Sequence, residues 1–450
     1  MIRVDISKRY QTVQGFGALV PPHSQAASAV YTDRFLEMLV KDLGCSVVRT
    51  LFLRQEGDTP DATALERQIS DLSRMRNHRP DLKIIATVTA PPGVMRADDG
   101  SLKSDSAGAF AQYLMDMCAT FEGSGCPVYA LSLQNGPTTN PTIGFSRDFK
   151  LSCAYDAQSY FNVFKALAVE KERRGSSVKL IASDDSMFVI PRVCNFVGKI
   201  VSDESVSANL GILGAHGYIP ANWEALMALR ATLPVAKLPD LYAAANADFK
   251  RSVEEYGRDT WLFEDCGEQA IWKDNIDYSL VVTPRESQYF VPFPMAAIDL
   301  ALKIRAALVN GNVAAYVYWL STTMENNEEG ADYGNDAEQA LCLKGTPTCK
   351  YQAAKHFFSY VEPGMVRVGA DSVDTLSCAF ESEGKTVAVV INNLDDIVDT
   401  SIEFVGSTAA SYTSYTSVEN DYHRQESGSL SGGRSDVTLL PNSITTFVVE

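Results

Sequence analysis

Through the first three-quarters of the chain, short and nearly continuous apolar runs alternate with longer stretches whose apolar residues fall three or four apart. The runs are TVQGFGA (12–18), SVVRTLF (46–52), KIIATVTA (83–90), VYALSLQ (128–134), VKLIAS (178–183), GILGAH (211–216), TWLFE (260–264) and AAYVYWL (314–320). Runs of that length read as strands buried on both faces, and the spacing between them reads as amphipathic helix. Helix ends are visible as well: TDRFLEMLVKDLG closes on Gly44, and DAQSYFNVFKALAVEKERRG opens on Asp156 and closes on Gly175. Eight buried strands, each followed by a helix, predict a parallel sheet closed into a (β/α)8 TIM barrel, an α/β fold.

From about residue 346 the pattern changes to short alternating strands separated by Gly, Ser, Asn and Asp, as in TLSCAFESEGKTVAVVINN and SITTFVVE. Helix signals vanish there, which predicts a side β-sandwich. The expected organisation is a barrel over residues 13–345 and a sandwich over 346–450, joined by residues 1–12 as an added strand. Internal repeats and low-complexity tracts are absent apart from the turn-like ESGSLSGGRSD.

Composition narrows the partners. The 56 acidic residues against 39 basic ones give a net charge of −17, which disfavours nucleic acid and anionic membranes. No apolar run is long enough to span a bilayer. The start MIRVDISKRYQTVQGFG has no basic-then-apolar leader, so the expected location is outside the cell with the leader absent from this sequence, an intracellular location being the alternative. Nine scattered Cys without a C-x-x-C pair, and five His, argue against a zinc site, and no cofactor is implied. Cys342 and Cys349 could close a disulfide or stay free. Oligomeric state is not legible.

Barrels of this kind place chemistry at the carboxyl ends of their strands. Those ends carry Gly17, Arg49 with Arg54, Pro91-Pro92, Asn135, Asp184, His216 with Tyr218, Glu264 and Trp319. Each has a plain structural reading: Arg49 as a pairing partner, His216 as a satisfied core histidine, Tyr218 as packing, Trp319 as an apolar plug, Glu264 as an ordinary strand-end carboxylate. Together they suit a carbohydrate, because an aromatic face stacks on a sugar ring while Asn, His, Tyr and Arg bond its hydroxyls.

GFGA, the PP after the third strand, SLQN-x-P after the fourth, HGY after the sixth, WLFEDCG after the seventh and VYW at the eighth resemble glycoside hydrolase family 30, a retaining family of clan A. YQAAKHFFSYVEPGMVRV, VAVVINN and SITTFVV are similar to that family's side β-domain. The resemblance implies Glu264 as nucleophile, Asn135 as holder of the sugar 2-hydroxyl, and Tyr218 or the neighbouring His216 as the group orienting the nucleophile. It further implies Trp319 as the aromatic floor of the first subsite and Arg49 as the arginine paired near the nucleophile. It implies carbohydrate substrates among xylans, β-linked glucans, galactans and related sugars. The loop STTMENNEEGADYGNDAEQALCL (321–343) has no Arg or Lys, which disfavours a uronic acid requirement.

The chain departs from the family at the general acid/base, where Asn-Glu-Pro becomes Asn-Gly-Pro and the Glu position is Gly136. A second departure is PPGVM (91–95) where the family carries an aromatic in PP-x-W-M. Retaining hydrolysis needs two carboxyl groups, and glycine supplies none. Four explanations follow: an engineered acid/base variant, a natural enzyme for good leaving groups, a substitute acid drawn from Asp184, Asp185, Asp265 or Glu268, or a carbohydrate-binding pseudoenzyme.

Overall fold

The computed structural model describes residues 1–22, 26–52, 62–137, 153–185, 191–217, 238–265, 294–323 and 340–450. Eight parallel strands close into a barrel in chain order: Gly15–Leu19, Val47–Leu51, Lys83–Thr87, Val128–Ser132, Lys179–Asp185, Leu210–His216, Thr260–Glu264 and Ala315–Tyr318. We call these barrel strands 1 to 8. Each lies inside or within two residues of its expected run.

A helix follows every barrel strand. Thr32 caps the first by accepting from the Phe35 amide, and Asp156 with Ser159 forms a reciprocal capping box on Ala157–Arg174, which ends at Gly175. The eighth helix, Cys349–Phe358, corrects the expectation that helices stop at residue 346. Tyr351, Ala354 and Phe358 in YQAAKHFF recur at helical spacing and are buried in the layer between barrel and sandwich. Only from Val366 does the chain run as strands.

Those strands form a nine-stranded sheet in which Ile2–Thr12 lies between Val366–Ser372, antiparallel, and Val398–Val405, parallel. One set of inward side chains, including Ile2, Val4, Ile402, Phe404, Leu439 and Phe447, makes a core of its own that draws on strands from both ends of the sheet. The sheet is therefore folded over as a sandwich. Phe380, Val387, Val389 and Ile444 face the other way and join the core that surrounds the barrel.

Two histidines sit at this junction. His356 is fully buried and bonds Thr446 Oγ1 at 2.8 Å and Ser417 Oγ at 2.7 Å, and its ring stacks on His423 at 4.3 Å between centroids. Burial holds both imidazoles below their ordinary value, His423 down to about 4. A histidine that resists protonation only when folded binds fewer protons in the native state than in the unfolded one. Its stabilising effect is complete above the unfolded value and is lost as pH falls from about 6.5 toward about 4. The drop in Tm between pH 7 and pH 5 is expected to shrink by roughly 2 °C or more in His423→Gln, measured by thermal unfolding.

Among the described residues no helix is long and apolar enough to cross a membrane. Cys342 and Cys349 are both free thiols.

Candidate active site

Alternation along the strands decides what enters the barrel. Val47, Ile181, Ile212, Ala315 and Val317 fill the lower interior, so residues two or four further along face the same space. That parity turns Arg49 and His216 inward at the carboxyl ends of barrel strands 2 and 6, while Trp319, just past strand 8, packs against the core that surrounds the barrel.

Two strand irregularities complete the set. Barrel strand 7 pairs Leu262 with Ala215 and then Glu264 with His216, so Phe263 is an extra residue and the bulge re-aims Glu264. Barrel strand 5 pairs Ser183 with Gly214 and then Asp185 with Ala215. Asp184 is skipped, stands in left-handed backbone at φ 55°, and delivers its carboxylate to the interior.

The result is a closely bonded cluster. Arg49 Nη1 donates to Glu264 Oε2 at 2.7 Å, and its Nη2 donates to Asp184 Oδ1 at 3.1 Å and to Asn135 Oδ1 at 3.0 Å. His216 Nε2 lies 3.1 Å from Asp184 Oδ1, and its Nδ1 lies 3.6 Å from Glu264 Oε1. Arg49 and Asp184 are at most 1% exposed, while His216 and Glu264 keep 4% and 6%, which places the small accessible edge on the nucleophile candidate.

Charge follows from these contacts. Burial works against the Asp184 carboxylate, but Arg49 and His216 outweigh it and hold the group well below the usual carboxylate range. Burial likewise opposes a charged His216, yet Glu264 and Asp184 raise its affinity for a proton above the ordinary value. Arg49, flanked by both carboxylates, is held firmly charged. The buried cluster thus sets the Arg49 guanidinium and the His216 imidazole against the Asp184 and Glu264 carboxyl groups.

Gly136 ends the segment after barrel strand 4. Its amide donates to the Asp184 carbonyl at 2.8 Å, and the Asn135 amide donates to the Val88 carbonyl at 2.7 Å, so both neighbouring strands hold this turn. Its φ is 57°, a conformation that glycine adopts without a side-chain clash. After barrel strand 3, Pro91-Pro92 leads into a short 3-10 turn, Gly93–Met95, in which Val94 is 55% exposed at the point where the motif lacks its aromatic.

The sequence-derived residues thus separate cleanly. Arg49, Asn135, His216 and Glu264 meet directly, and Gly136 is tied to the same cluster through Asp184. Trp319 follows barrel strand 8 and donates its amide to the Asp265 carbonyl at 2.8 Å, beside Glu264 in sequence. Tyr218, Arg54, Glu268 and positions 324–339 of the acidic loop lie outside the described residues. Asp184, read from sequence as a substitute acid, is instead the shared anion of Arg49 and His216. Asp265 is 1% exposed and binds Lys303 and, at 2.8 Å, the Tyr316 hydroxyl. Lys303 escaped sequence reading; it is one of two cations, with Arg305, within the largely apolar helix Asp299–Val309.

Arg49 is the electrostatic hub, and its loss has a definite expected result. Arg49→Met leaves Asp184 and Glu264 buried against one histidine and should destabilise the fold by about 3–5 kcal/mol. Adding Asp184→Asn to it removes one orphaned charge and should recover part of that loss. Chemical denaturation of the single and double variants checks both.

No family model matches the chain. Over 355 residues it is 23% identical to the glucuronoxylanase XynC of Bacillus subtilis strain 168, covering 78% of this chain and 68% of that one. It is 23% identical over 252 residues to putative glucosylceramidase 1 of Caenorhabditis elegans, covering 48% of this chain and 47% of that one. Among solved structures, the glycoside hydrolase family 30 subfamily 8 xylanase Xyn30A of Clostridium acetobutylicum superposes with a TM-score of 0.74 at 22% identity, covering 100% of this chain and 99% of that one. The likeness extends over the barrel and the side sandwich together.

Proposed function

We propose that this chain is a retaining β-glycoside hydrolase of the family 30 kind, acting on oligosaccharides or polysaccharides, with Glu264 as nucleophile and Gly136 at the place of the general acid/base. The observation that carries the reading is the Glu264 carboxylate at the barrel mouth, held by an arginine that also binds Asn135, the residue next to Gly136. A double displacement requires an ionised carboxylate aimed at the anomeric carbon, and the Arg49 guanidinium bonded to Glu264 Oε2 fixes where that carboxyl group points.

Asn135 would bond the sugar 2-hydroxyl, Trp319 would stack on the ring in the first subsite, and Tyr218 with His216 would orient Glu264. The names of the relatives, a glucuronoxylanase, a putative glucosylceramidase and a family 30 xylanase, support the glycosidase class and leave the sugar open. No metal or organic cofactor enters this chemistry.

Gly136 favours a second reading, a carbohydrate-binding pseudoenzyme without turnover. Incubation with 2,4-dinitrophenyl β-glycosides separates the two. The glycosidase should show a burst of phenolate and an intact mass raised by one glycosyl unit, mapped to Glu264. If a panel of xylosides, glucosides and galactosides gives neither burst nor adduct while calorimetry detects oligosaccharide binding, the binding reading stands.

A further inference from the structure

Among the described residues the cluster can supply a nucleophile but is poorly furnished with acids. Among the described residues the other carboxyl groups adjoining barrel strands 5 and 7 are Asp184, Asp185 and Asp265. Asp184 is locked in its ionised form between Arg49 and His216. Asp265 is engaged by Lys303 and Tyr316. Asp185 is fully buried and pairs with Ala215, whose side chain belongs to the outer core rather than the barrel interior. The ring nitrogens of His216 face Asp184 and Glu264, so its protons point toward the nucleophile side. At the remaining position, Gly136 has no side chain, and its backbone at φ 57° is one that suits glycine.

A leaving group that receives no proton must carry its electron pair away unaided. We propose, on the basis of the glycosidase reading, that the substrates of this site are glycosides whose aglycone departs as a stabilised anion, such as phenolic ethers and acyl esters, rather than alkyl-linked sugars. In the first step a Glu264 oxygen bonds to the anomeric carbon while the carbon–oxygen bond to the aglycone breaks, its electron pair leaving as phenolate or carboxylate. In the second step water bonds to that carbon, the Glu264 carboxylate is expelled, and the proton of the attacking water passes to solvent.

The test uses the full chain and the β-D-xylosides and β-D-glucosides of 2,4-dinitrophenol, 4-nitrophenol and phenol. Without an acid, kcat/KM should fall about tenfold for each unit by which the phenol becomes more basic, and the pH profile should have no basic limb from a proton donor. A slope shallower than about twofold per unit, together with a basic limb, would overturn the proposal by revealing a donor, while leaving the glycosidase reading in place. Absence of both turnover and adduct across the series would overturn that underlying reading instead.

Discussion

Replacing Glu264 by Gln is expected to abolish the covalent adduct and to lower turnover of a 2,4-dinitrophenyl glycoside by about 10⁴-fold or more, the scale set by removing a nucleophile from a double-displacement site. Gln matches Glu in shape, and its amide oxygen can still accept from Arg49 Nη1, so the fold should survive. The buried cluster would lose one carboxyl charge, and His216 would lose the neighbour that most raises its proton affinity. The His216 titration, followed by NMR, should therefore move downward in the variant. Intact-mass and steady-state measurements supply the kinetic half of the test. Adding azide to the unsubstituted enzyme should release a glycosyl azide, since a small anion needs no base to attack. If Glu264→Gln keeps both adduct and burst, another nucleophile is at work and Glu264 is only a member of the charge cluster.

The eight barrel strands were legible because each is buried on both faces and reads as a short apolar run between helices with capped ends. Two of the inward side chains were legible for the same reason. Arg49 and His216 sit an even number of residues beyond apolar positions that fill the barrel, so period-two counting suffices. Glu264 and Asp184 were recognisable as strand ends, but their orientation was not. Each depends on a one-residue register shift, and a bulge leaves no reliable mark in a single sequence. Asp184 was one of four candidate substitute acids in the sequence, and only the bulge reveals that its carboxylate lies between Arg49 and His216, which hold it ionised. Lys303 and the helix Cys349–Phe358 were missed for opposite reasons. The lysine is one of three charged residues in a largely apolar helix and nothing in the sequence sets it apart from Arg305, while the helix lies where strand-like alternation was already expected.

Introducing a carboxyl group with Gly136→Glu should raise kcat/KM for phenyl glycosides by about 10²- to 10⁴-fold, the usual contribution of a general acid. The gain should shrink toward unity with 2,4-dinitrophenyl glycosides, whose aglycone hardly needs the proton. The substitution has a structural cost. At φ 57° a residue with a β-carbon is strained by about 1–2 kcal/mol, and position 136 is buried with its amide bonded to the Asp184 carbonyl. That strain acts on folding stability, whereas proton donation acts on the barrier, about 3–5 kcal/mol by the same rate factors. The variant should therefore melt lower and turn over faster at once. Gly136→Gln carries the same backbone strain without an acid, so it should share the lower Tm and show no rate gain. A basic limb should also appear in the pH profile of Gly136→Glu, reporting the new acid, and it should be absent in Gly136→Gln. A folded Gly136→Glu that gains nothing on phenyl glycosides would mean that position 136 does not face the bond being broken.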